Sequence, residues 1–187
     1  LGIGDGKILA CVCSMGPSDT LILPIHRAVT FDRWMLADAM EGDLVRAGCK
    51  IRELPRVHPQ TIQESLAKIQ PGEATCIALH GHANRPLLVQ LPSVAQLPGP
   101  LADLAVACLD EGVLSKLGGV RSMPVAAVPL ALELLALDQA QVAFFLPPVS
   151  PAQVRAVAAG KLKMPRKSTR FVPKPPLGLI CRPWELA

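Results

Sequence analysis

Apolar residues in this chain fall into short unbroken runs and helical stripes, punctuated by glycine and proline. Residues 7–15, with Ile8, Leu9 and Val12 beside Cys11 and Cys13, predict a buried strand, and the uninterrupted run 141–146 predicts a central one. Residues 21–29 predict another strand, broken at Pro24, because proline in a strand marks an edge, an end or a bulge. Thr30 is placed to cap a helix over 31–47, with Asp32 in its first turn, Arg46 in its last and Gly48 as its stop. A short strand over 49–54 follows, then a helix over 59–70 with Ile62, Leu66 and Ile69 on one face. Residues 75–79 and 87–91 predict a β-hairpin around the turn 80–86.

Residues 92–100 form a proline-punctuated loop, and 101–117 predict one long helix with Leu101, Leu104, Cys108 and Leu109 on its buried face. A further helix is expected over 125–137, after Pro124. Ser150 caps a helix over 151–159 with Pro151 at its first position, Gly160 ends it, and a last strand is expected over 177–181. The alternation predicts an α/β fold, or a mixed α+β one, with a mixed sheet flanked by helices. Neither a GxGxxG nor a Walker A sequence occurs.

The length of 187 residues predicts a single domain over 1–187. Aromatics are only 3% and Tyr is absent, so the core is expected from Leu, Val, Ala and Ile. No run reaches the length of a membrane span and no signal peptide is visible, so no membrane partner is expected. Leu1 is not an initiator Met, which reads as a fragment or a processed product. The six cysteines, Cys11, Cys13, Cys49, Cys76, Cys108 and Cys181, are scattered through apolar segments without a CxxC, which predicts reduced thiols in a cytoplasmic protein, with neither disulfide nor zinc. His80 and His82 have no third metal ligand close in sequence, so no metal site is expected there.

Net charge is +4, unevenly placed: from Arg155 onward there are eight Lys/Arg and one acid, Glu185. The stretch 161–178 holds six cations, Ser168, Thr169 and four prolines with no acid. Proline excludes a regular helix there, and clustered Lys, Arg, Ser and Thr on a stiff path suit an anion, phosphate above all. A solvated basic tail is the alternative. Nucleic acid is disfavoured, because stacking aromatics are nearly missing beside the cations. His26 and Arg27 break an otherwise apolar strand and demand partners. His26 reads either as a satisfied structural histidine or as a ligand contact. The candidate ligand-binding set is therefore His26, Arg27, Arg166, Lys167, Ser168, Thr169 and Lys174. His26-Arg27 and Lys167-Ser168-Thr169 are expected to approach one another, with Arg27 and Lys167 facing a common anion or else an Asp or Glu recruited from the body.

Several of these motifs carry a resemblance. Phe144-Phe-Leu-Pro-Pro148, the helix after it, Met164-Pro-Arg-Lys-Ser-Thr169, Phe171-Val-Pro-Lys174 and Leu23-Pro-Ile-His-Arg27, in this order, resemble the "SerC-associated" family, domain of unknown function ten-fifteen. Leu109-Asp110 is similar to a Leu-Asp pair on one of that family's helices. Arg170 and Val172 stand where Tyr is common in the family, and its upstream Asp-Gly-His-His-Arg-Tyr run is not in this sequence; Asp5-Gly6-Lys7 is not that run. The resemblance implies the C-terminal portion of a larger protein, whose upstream part resembles ParB/sulfiredoxin-type domains, some of which phosphorylate free serine. It thus implies part of an ATP-dependent small-molecule kinase using ATP with Mg, with the catalytic motif upstream. A non-catalytic ligand-binding or interaction module, and a structural half-domain whose basic stretch pairs with acids elsewhere, remain open beside it.

Overall fold

The computed structural model describes residues 21–55, 58–70, 72–83 and 85–174. The strands expected over 7–15 and 177–181, with Cys11, Cys13 and Cys181, lie outside them. Two compact units are distinguished: Ile22–Arg170, and Leu1–Leu21 with Phe171–Ala187.

The larger unit is built on a six-stranded sheet. In chain order its described elements are β1 (Leu21–Pro24), β2 (His26–Phe31), α1 (Ala37–Arg46), β3 (Lys50–Glu53), α2 (Pro59–Ala67), β4 (Thr75–His80) and β5 (Leu87–Gln90). There follow α3 (Gly99–Ala102), α4 (Ala105–Gly112), a 3-10 turn (Leu114–Lys116), β6 (Val120–Val125), α5 (Val128–Ala136), β7 (Val142–Phe145), α6 (Pro151–Ala159) and β8 (Thr169–Val172). The spatial order is β3-β5-β4-β7-β2-β6, and β1 and β8 stand outside this sheet. All five ladders are antiparallel, so the expected α/β class is present in its α+β form and the sheet is antiparallel rather than mixed.

The period-two alternation of the strands divides the core into two layers. Val142 and Phe144 of β7 pack on one face with Met40, Leu44, Cys108 and Leu109; Ala143 and Phe145 pack on the other with Ile62, Leu66, Ala131 and Leu135. The central place of 141–146 and the 75–91 hairpin are as the apolar runs predict. Ser150 and Gln153 form a reciprocal capping box on α6, as the Ser-Pro start suggests.

Three expectations are corrected. Thr30 does not cap a helix: β2 continues to Phe31, with Thr30 opposite Arg121 and the Phe31 ring buried, and α1 starts only at Ala37. The helix expected over 101–117 is broken at Asp103-Leu104, where Leu104 turns extended and buries its side chain. Residues 120–125 are a strand, and the helix after Pro124 begins at Val128. This strand is an outer one, largely exposed, where a proline without an N–H is tolerated.

Candidate functional site

The break at Pro24 and Ile25 sets His26 and Arg27 at the start of β2, between β6 and β7. Arg27 is buried, with 4% of its surface exposed. Its Nε and Nη2 donate to the two carboxylate oxygens of Asp110 on α4, at 3.1 and 2.9 Å. Such a fork-to-fork pair suits the planar guanidinium, which is more weakly hydrated than an ammonium and so loses less on burial. The remaining donors reach across the chain: Nη1 to the Lys167 carbonyl at 3.0 Å and Nη2 to that of Arg166 at 3.3 Å.

The two polar motifs therefore do meet. What faces the Arg27 guanidinium, however, is Asp110 and backbone carbonyls, so the acid recruited from the body is the outcome the structure gives. Arg27 acts as a clamp on the 166–167 backbone. Lys167 there has φ +50°, a left-handed conformation that costs a non-glycine residue about 1–2 kcal/mol and must be held by its surroundings. The clamp supplies that hold.

The turn displays its side chains in opposite ways. Arg166 and Lys167 are exposed and line an open cleft of about 460 Å³ with Arg27, Asp110, Ser122 and Pro124. Ser168 is buried, and Thr169 is half-buried at the start of β8. Lys174 is exposed and belongs to the second unit. Ser122 had no signal in the sequence, since its strand is too polar and too proline-bearing to be recognised.

His26 is buried under the edge of the Phe145 ring, and its Nδ1 accepts from the Leu146 N–H at 3.2 Å. Burial, then the positive charges of Arg170 and Arg27, lower its pKa to about 4, so near neutral pH the ring is uncharged with its proton on Nε2. This geometry ties β2 to the end of β7, a structural contact. His80 is likewise engaged: Nε2 meets the Met35 carbonyl at 2.7 Å and Nδ1 accepts from the His82 N–H at 3.2 Å. His82 Nε2 lies 2.8 Å from Asp138. Among the described residues no group of three or more His, Cys, Asp or Glu is placed to hold a metal ion.

No family model and no curated protein matches the chain. Solved structures do. A free serine kinase in complex with AMP is similar at 16% identity with a TM-score of 0.52, covering 83% of this chain and 55% of its own. A mutant free serine kinase with AMP gives 15% and 0.51 with the same coverage. A conserved hypothetical protein from Pyrococcus furiosus gives 13% and 0.50, over 82% and 56%. The chain thus spans about 55% of the length of the kinase structures, and the likeness shows a shared fold.

Proposed function

We propose that this chain is part of a small-molecule phosphotransferase of the free-serine-kinase type, related to the SerC-associated family, and that Arg166 and Lys167 hold phosphates of an adenine nucleotide. The observation that carries the reading is the clamped turn: a buried Arg27, paired with the half-buried Asp110, holds a strained backbone so that two exposed cations face one cleft. Phosphoryl transfer depends on positioning and charge neutralisation, and cations on a fixed backbone serve both. The cleft fits phosphate better than a metal ion, because its carboxylate, Asp110, is committed to Arg27. Magnesium accompanying the nucleotide would be carried by the phosphates, neutralising their charge. The acceptor would be a small amino or hydroxy acid such as serine.

The same commitment of Asp110 favours a second reading. With the carboxylate of the cleft tied up, this chain would bind a phosphorylated ligand without transforming it. Buried Cys49, Cys76 and Cys108, all free thiols, suit a cytoplasmic setting for either reading. Among the described residues no helix is long and apolar enough to cross a membrane.

Calorimetric titration with ADP, ATP–Mg, inorganic phosphate and phosphoserine tests the binding, and transfer of labelled phosphate to serine separates the two readings. Lys167→Ala should weaken nucleotide binding about 5- to 150-fold, the equivalent of roughly 1–3 kcal/mol for one charge-assisted hydrogen bond. Unchanged affinity in that variant would sink the phosphate assignment.

A further inference from the structure

Helices α2 and α5 cover one face of the sheet over its central strands and leave it open toward β3. There α2 ends at Ala67, and β3 and β5 border an open cavity of about 830 Å³ that shares no residue with the phosphate cleft.

β3 reads Lys-Ile-Arg-Glu, and its period of two sorts these residues by face. Lys50 and Arg52 line the cavity; Ile51 packs on the opposite core layer, and Glu53 reaches Arg85 at 3.8 Å. Strand pairing carries the pattern inward. Lys50 stands opposite Gln90 and Gln90 opposite the buried Thr75, a polar row across three strands. Arg52 stands opposite Leu88, which with Leu54 and Ile69 gives the cavity a half-buried apolar wall.

Lys68, the C-cap residue of α2, is the third cation of the lining, and Glu73 is its one acid. Lys50, Arg52 and Lys68 are all exposed, and among the described residues none of them is in an ion pair, whereas Arg46, Arg85 and Arg121 each are. Three cations against one acid leave an excess of two positive charges beside an apolar wall. That combination complements a ligand carrying two negative charges and an apolar body.

We propose that this cavity binds a small organic dianion, a phosphomonoester or a dicarboxylate, with its charged end on Lys50 and Arg52 and its apolar body against Leu54, Ile69 and Leu88. The Arg52 fork takes two oxygens of either group, and the Lys50 ammonium supplies the second charge. The proposal stands without the kinase reading, since it uses none of the cleft's residues.

The test is amide-resolved NMR titration of the 187-residue chain with phenyl phosphate, phenylmalonate, benzoate and inorganic phosphate. At least one of the two organic dianions should shift the Lys50, Arg52 and Gly72 amides, and the tighter of them identifies the ligand as phosphomonoester or dicarboxylate. It should bind there at least about threefold tighter than benzoate, which has one charge fewer, and than inorganic phosphate, which lacks the apolar body. Arg52→Gln, an exposed change that leaves the fold intact, should weaken that binding at least about fivefold, while Lys167→Ala should stay within about twofold. No shift at these amides, inorganic phosphate or benzoate binding as tightly, or an unchanged affinity in Arg52→Gln would each overturn the proposal and leave a solvated basic face. Shifts of the same amides on concentrating the protein without ligand would overturn it too, since a second copy would then cover the cavity.

Discussion

Removing the carboxylate that Arg27 grips should cost the fold and the basic turn together. In Asp110→Ala the guanidinium, with 5% of its side chain exposed, loses both bonds to the carboxylate and keeps those to backbone carbonyls. Breaking a buried pair from one side costs about 3–5 kcal/mol. Asp110 is 32% exposed, so water can re-solvate part of the cation and the lower figure of about 2–3 kcal/mol is expected. For a domain of this size that is a fall in Tm of about 4–12 °C. Urea denaturation of Asp110→Ala, Arg27→Met and the double variant gives the pairwise energy, expected at about 1.5–3 kcal/mol. The double variant should recover part of the loss, since no charge is then buried alone. An Asp110→Ala cost within about 0.5 kcal/mol of zero, the range of ordinary surface changes, would refute the clamp.

His26 supplies a pH signature. Its folded pKa of about 4 lies below the ordinary 6.5, so at intermediate pH the unfolded chain binds the extra proton: the stabilisation is complete above about 6.5, is lost as pH falls toward 4, and amounts to about 3 kcal/mol at most. Denaturation midpoints from pH 7.5 to 4 should show this slope in the wild type, and His26→Gln should flatten it; equal slopes would contradict it. Gly112→Ala should destabilise by about 1–3 kcal/mol, read by thermal melting, because an added Cβ would stand 2.8 Å from Val94 Cγ2; a neutral result would mean that the Val94 loop yields freely.

The parts of the fold legible in the sequence are those where local pattern and tertiary environment agree. Residues 142–145 read as a central strand because they are buried on both faces, and α6 read as a helix because its capping box is local. β6 was illegible because an exposed outer strand needs no apolar alternation and can carry Pro124. Thr30 has the chemistry of a cap, yet the pairing of β2 with β6 decides its state. The stripe over 101–117 is genuine, but burying Leu104 breaks the helix beneath it. At the site, the basic turn and the His-Arg pair were visible as polar residues in the wrong company. That Arg27 would close on Asp110, 83 positions away, and on carbonyls 139 and 140 positions away, depends on sheet order, which no local signal carries. Nor could residue types tell that Ser168 and Lys167 would part company, since that follows from one left-handed residue.

The most direct test of the phosphate assignment is a crystal structure of the protein grown with ADP and magnesium. Nucleotide phosphate oxygens should lie within hydrogen-bonding distance of Lys167 Nζ and the Arg166 guanidinium, with the Arg27–Asp110 pair intact beneath them. A nucleotide bound elsewhere, with both cations turned to solvent, would contradict it.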